Sequence, residues 1–76
     1  MYEKIIRFKI VKNNYVFEAV LDDRLSFSEN FKMLENIMDI DIKNSRVYDP
    51  NKNVFLDSNV AINAYNISNI MLFYLF

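Results

Sequence analysis

The chain opens with a two-residue rhythm. Ile6, Phe8 and Ile10 alternate with Arg7 and Lys9, the period of a strand with one face in a core and the other in water. Asn13-Asn14 interrupts the run, and Asn tolerates the left-handed backbone that tight hairpin turns need. A second alternating run follows, with Tyr15, Phe17, Ala19 and Leu21 on one face and Val16, Glu18 and Val20 on the other. Residues 3–21 therefore predict a β-hairpin. Asp22-Asp23-Arg24 is a polar break, and Ser26 with Glu29 three residues on fits a capping box. The period then changes to that of a helix. Phe27, Phe31, Leu34 and Met38 share one stripe with Ile37 beside it, while Glu29, Lys32, Glu35 and Asn36 take the wet side. This pattern predicts a helix from Phe27 to Met38, with Met33 off the stripe and partly exposed.

Past the helix, Asp39-Ile40-Asp41-Ile42 returns to alternation and reads as loop or extended chain, with Ile40 the isoleucine expected to plug the core. Arg46-Val47-Tyr48 is a short strand, Asp49-Pro50-Asn51 a turn with Pro suited to its second position, and Val54-Phe55-Leu56 another short strand. Asp57-Ser58-Asn59 turns again, and Val60 to Ile67 reads as a short irregular or single-turn segment. Ile70 to Phe76 is the last strand, apolar at every position. The order β-β-α-β-β-turn-β predicts an α+β fold. One helix crosses a mixed four- to five-stranded sheet, and a single domain spans residues 1–76 without repeat or linker.

Composition narrows the chemistry. The 76 residues contain no Gly, Cys, His or Trp. Without Cys or His there is no thiolate or imidazole metal site and no Ser-His-Asp triad. Without Gly the phosphate-cradling loop, the dinucleotide fingerprint and the serine nucleophile elbow are excluded. The pairs Asp22-Asp23 and Asp39/Asp41 lack the spacing of a calcium loop and read as solvated turn acids. The expectation is a non-enzyme with no cofactor and no metal. Nine basic residues are matched by ten acidic ones, and no window is strongly basic, so a nucleic-acid partner is not expected. The longest apolar run, residues 70–76, is too short for a membrane helix. Met1-Tyr2-Glu3-Lys4 does not have the form of a secretion signal, which predicts a cytoplasmic protein without membrane insertion. The absence of Gly also assigns turn conformations to Asn13-Asn14, Asn51, Asn59 and Asn69.

The element order resembles the ubiquitin-like β-grasp fold, and the stretch Leu56-Asp57-Ser58-Asn59-Val60-Ala61-Ile62-Asn63-Ala64-Tyr65-Asn66-Ile67 is similar to the ubiquitin segment ending in Tyr-Asn-Ile. Ser26, Leu34, Ile40 and Arg46-Val47-Tyr48 fall in register with it. The resemblance implies that Tyr65 packs on the loop before it and hydrogen-bonds to backbone. Ubiquitin and the sulfur carriers end in Gly-Gly, whereas this chain ends Tyr74-Leu75-Phe76, which implies neither conjugation nor sulfur transfer. Asn66-Ile67-Ser68-Asn69 followed by an apolar strand looks like the ending of the bacterial YukD/EsaB-type ubiquitin-like proteins. That likeness implies an accessory or regulatory role in type VII secretion through non-covalent protein contact. The alternatives are a stand-alone homodimeric β-grasp domain with a structural or regulatory role, and a degenerate sulfur-carrier-like protein.

A last strand of this kind lies centrally in the sheet, and one helix covers only one face. Ile70 to Phe76 does not alternate as a half-wet strand should. Ile5, Val16, Val20, Ile70, Leu72, Tyr74 and Phe76 are therefore expected to share an outer face that binds a protein partner: secretion machinery or a second copy of the chain. Tyr48 joins them, in the position on the third strand that corresponds to part of ubiquitin's partner-binding patch.

Overall fold

The computed structural model describes residues 2–76. Strands β1 (Glu3–Ile10) and β2 (Tyr15–Asp22) form the N-terminal hairpin, and helix α1 (Phe27–Met38) follows. Then come β3 (Val47–Asp49), β4 (Val54–Leu56), a single 3₁₀ turn at Ile62–Ala64 and β5 (Leu72–Leu75). The sheet order is β2-β1-β5-β3-β4. The last strand runs down the middle, parallel to β1 and antiparallel to β3.

The two-residue rhythm of the hairpin translates directly into burial. Ile6 and Phe8 are fully buried, and Phe17, Ala19 and Leu21 face them from β2. Helix α1 is capped as its sequence requires. The Ser26 Oγ accepts from the Glu29 N–H, and the Glu29 carboxylate accepts from the Ser26 N–H, each at 3.1 Å. The helix buries Phe27, Phe31 and Leu34. Ile37 is not part of that face: it is 78% exposed. The core is dense in aromatic rings, with Phe8 within 5.4–6.5 Å, centroid to centroid, of Phe17, Phe27, Phe31 and Phe73. Most of these pairs are tilted or edge-on, the orientations the ring quadrupole favours.

Two four-residue hairpin loops are built alike. Ile10 pairs with Tyr15 and Asp49 pairs with Val54, leaving residues 11–14 and 50–53 as loops. The last loop residue is Asn in both, Asn14 at φ 58° and Asn53 at φ 56°. Asn visits the left-handed region more readily than other residues with a Cβ, so it takes the place of Gly at equivalent points. Asn51, Asn59 and Asn69 do not adopt this conformation, contrary to expectation. Asn51 and Asn59 instead donate their N–H groups to the carboxylates of Asp49 and Asp57, and the Asn69 side chain accepts from the Ile5 N–H.

The core plug after the helix is Ile42, fully buried, and not Ile40, which is half-exposed. Asp39 closes the helix in the left-handed conformation (φ 54°), which turns the chain sharply. The Glu35 carboxylate then accepts from the N–H groups of both Ile42 and Lys43, at 2.9 and 2.6 Å. That clamp, made by a residue assigned to the wet side, fixes which isoleucine turns inward. Tyr65 behaves as the resemblance implied, its hydroxyl accepting from the Asp57 N–H at 2.8 Å. Among the described residues, no helix is long and apolar enough to cross a membrane.

Candidate interaction surface

The outer face of the sheet, opposite the helix, can be read row by row from the strand register. One row runs Val16, Lys9, Tyr74, Tyr48, Phe55 across all five strands. The next holds Glu18, Arg7 and Leu72, and the one beyond it Val20 and Ile5. On the other side, the ladder continues past the named strands. Phe76 and Arg46 exchange backbone hydrogen bonds of 3.0 and 2.8 Å, and the Val11 N–H donates to Leu75.

The face does not form one apolar patch, as the sequence led us to expect. Arg7 and Glu18 form an ion pair of 2.8 Å in its middle row and divide it. At one end lies an aliphatic pair, Ile5 and Val20, while Val16 lies across the ion pair from them, in the row of Lys9 and Tyr74; all three are exposed. At the other end lies an aromatic group. Tyr48 sits 5.0 Å from Phe55, 6.3 Å from Tyr74 and 6.0 Å from Phe76, and Phe55 sits 5.8 Å from Phe76. The structure thus brings Tyr48, Tyr74 and Phe76 together. It places Leu72, half-buried, beside the dividing ion pair.

Ile70 differs from its expected place. It is not in the last strand but in the turn before it, at φ 64°. Its N–H donates to the Ile5 carbonyl at 2.6 Å, so it starts the β1–β5 pairing. A β-branched residue with a positive φ is an outlier, because Cβ crowds the neighbouring carbonyl there. Ile70 is nonetheless 54% exposed and gains little burial for that strain.

Phe55 was not among the expected contacts, yet its ring belongs to the aromatic group, against Tyr48 and Phe76. The signal was present in the alternation of Val54-Phe55-Leu56, which puts the Phe opposite to its neighbours. Two cations lie on these rings. The Arg46 guanidinium is 3.9 Å from the Phe55 centroid, and the Lys9 ammonium is 5.8 Å from that of Tyr74. Neither cation is within 4.0 Å of a carboxylate among the described residues. The aromatic end is therefore an apolar platform of rings with cations against two of them. Among the described residues, no three acidic side chains converge as a metal site would require.

At the acidic turn Asp22-Asp23, the Asp22 carboxylate is satisfied within the turn. The Asp22 carboxylate accepts from the Arg24 backbone N–H and from its guanidinium, at 2.7–3.0 Å. The Arg24 side-chain bond, followed by its backbone bond, holds the Asp22 carboxyl below the usual carboxylate range.

No family model matches this chain, and no curated protein matches it significantly. Solved structures do. The ubiquitin-like domain of Plasmodium falciparum Dsk2 superposes with a TM-score of 0.73 at 15% identity, covering 96% of this chain and 95% of that one. The ubiquitin-like domain of an Arabidopsis thaliana protein gives 0.74 at 17%, covering 100% and 78%. The C-terminal ubiquitin-like domain of mouse tubulin-specific chaperone e gives 0.68 at 11%, covering 96% and 84%. At these identities the likeness bears on architecture alone, and with the element order and sheet topology it establishes that the chain has the ubiquitin-like β-grasp fold.

Proposed function

We propose that this chain is a protein-interaction module that binds its partner non-covalently through the aromatic end of the outer sheet face. The observation that carries this reading is the cluster of Tyr48, Phe55, Tyr74 and Phe76 with Arg46 and Lys9 on its rings. Aromatic residues and Arg are enriched where protein interfaces concentrate their binding energy. The finer reading is an accessory or regulatory role in a bacterial type VII secretion system, acting in the cytoplasm. It rests on the likeness of Asn66-Ile67-Ser68-Asn69 and the following apolar strand to the YukD/EsaB-type ending.

Affinity capture from cells of the source organism tests both levels. The wild-type chain is expected to retain a partner that Phe55→Ala and Arg46→Glu release, while both variants remain folded in a cooperative thermal melt. Retention of the same proteins by all three chains removes the aromatic platform as the binding site. If the partner is no secretion component, and the gene does not lie beside a secretion ATPase and its small substrates, the secretion role falls while the interaction reading stands.

A further inference from the structure

We infer that two copies of this chain pair through the free edge of β2, antiparallel, in a single register that the hydrogen-bonding pattern dictates. This surface is distinct from the aromatic platform and does not depend on it.

The outward-facing groups of β2 follow from its neighbours. The bonds from β1 towards β5 use odd-numbered residues: the Ile5 carbonyl and the N–H groups of Arg7 and Val11. The even-numbered residues of β1 therefore face β2, and through the pairs Ile6–Ala19 and Phe8–Phe17 they engage the odd-numbered residues of β2. The N–H and C=O groups of Val16, Glu18, Val20 and Asp22 point away from the sheet. At Asp22 this edge is closed. The buried Asn30 side chain accepts from the Asp22 N–H at 2.9 Å and donates to its carbonyl at 3.0 Å, imitating a neighbouring strand. Val16, Glu18 and Val20 have no backbone partner on that side among the described residues. Edge strands are usually protected by Lys, Pro, a bulge or shortness. β2 has eight residues and no Lys, Pro or bulge, and Glu18 is the single charge among its three open residues.

Antiparallel pairing of β2 with its own copy can satisfy all three residues in one arrangement only. Glu18 faces Glu18 across the two-fold axis, and Val16 faces Val20 of the second copy. A shift of two residues either way leaves one free residue opposite the turn or opposite the edge that Asn30 already closes. The same arrangement matches side chains to hollows. Tyr15 of the second copy comes opposite Leu21, beside a hollow of about 470 Å3 that Leu21 lines with Val20, Arg24, Asn30 and Met33. Val16 of the second copy comes opposite Val20, beside a hollow of about 260 Å3 lined by Ile5, Glu18, Ala19 and Val20. Tyr15, Val16, Val20 and Met33 are all exposed in the single chain, as is Ile37 one helical turn beyond Met33. Such self-complementarity is what a two-fold interface demands. One strand edge and these few side chains make a small interface, near the lower bound of about 1,000 Å2 for a specific one, so a reversible dimer is expected.

Glu18 opposite Glu18 is the one unfavourable contact, eased by the Arg7 ion pair on each side. It gives the test its sign. Sedimentation from about 1 μM to 1 mM, the range in which a small interface associates, should show a monomer–dimer equilibrium. Glu18→Gln is expected to tighten it by up to about fivefold, the effect of removing a like-charge cross-strand pair. Val20→Lys is expected to weaken it by about tenfold or more, as a charged edge does. Phe55→Ala should leave it unchanged, which separates this surface from the aromatic platform.

The register is tested by cross-linking, since the native chain has no Cys. Facing residues of a hydrogen-bonded antiparallel pair have Cα atoms about 5.5 Å apart, within the roughly 4.4–6.8 Å that a disulfide spans. Glu18→Cys should therefore form a disulfide dimer under mild oxidation, while Val16→Cys alone should not. A monomer throughout the range overturns the proposal. So does a dimer indifferent to both Val20→Lys and Glu18→Gln, or equal cross-linking at positions 16 and 18.

Discussion

The two faces of the sheet carry aromatic clusters of similar spacing and opposite circumstance. On the inner face Phe8, Phe27, Phe31 and Phe73 are fully buried, with ring centroids 5.4–6.5 Å apart. On the outer face contacting rings among Tyr48, Phe55, Tyr74 and Phe76 lie 5.0–6.3 Å apart, but Phe55 and Phe76 are exposed and cations rest on the rings. Ring geometry alone therefore does not separate a core from a docking platform. What separates them is the helix: α1 supplies a second layer to one face, and no element among the described residues supplies it to the other. The inner cluster spends its apolar area on folding. The outer cluster keeps much of its area available for a partner.

The most severe way to break the inner cluster is Phe8→Ala, which deletes the ring that touches the other core phenylalanines. The expected loss is about 3–5 kcal/mol. A chain of this length has a total stability of roughly 4–11 kcal/mol on the usual per-residue range, so urea denaturation should show a midpoint lowered by a large fraction or a chain already unfolded. Asn30→Ala should come next. It removes both bonds to the Asp22 backbone and a third, to the Ser26 carbonyl, at the margin where the core meets the β2 edge. The expected cost is about 2 kcal/mol, because partly buried backbone groups lose their partners.

The inner face was legible in the sequence almost residue by residue, and the outer face only in part. Core positions announce themselves by period: the alternation in β1 and β2 and the stripe through Phe27, Phe31 and Leu34 each name a buried side. The helix limits, Phe27 and Met38, were fixed by the capping box and by the change of period at Asp39. Legibility failed where a single side chain decides the path. Nothing in Asp39-Ile40-Asp41-Ile42 tells which isoleucine turns inward, because the decision lies with Glu35, whose carboxylate grips the Ile42 and Lys43 N–H groups. The closure of the β2 edge by Asn30 was equally hidden, since a polar residue on a helix reads as solvated until its partner is placed. On the outer face the composition of the patch was readable, but its division was not. Arg7 and Glu18 alternate with apolar neighbours in the same way whether or not they meet, and only the register of the hairpin brings them together.

Ile70 sharpens the comparison from the side of strain. It holds a conformation that costs a β-branched residue about 1–2 kcal/mol, and it lies more than half in solvent. Ile70→Gly should therefore raise stability by about 1 kcal/mol, the strain relieved less the added freedom of the unfolded chain. Thermal melting checks this, and a lowered melting temperature would show that the Ile70 side chain holds the turn through packing. A core phenylalanine offers no such gain, because its burial already repays its conformation.

The smallest effect on folding is expected where the effect on binding is expected to be largest. Phe55 lies in β4, an edge strand of three residues, and is 43% exposed. Its ring touches Tyr48, Phe76 and the Arg46 guanidinium, all on the outer face. Phe55→Ala should therefore cost under about 1 kcal/mol of stability, as truncations outside a packed core do. Phe8→Ala removes the same chemical group from the other side of the same sheet at several times that cost. Matched urea titrations of the two variants test the distinction directly. If Phe55→Ala destabilises the chain as much as Phe8→Ala, the outer rings are a second core that folding requires. They would then lose their standing as a platform held open for a partner.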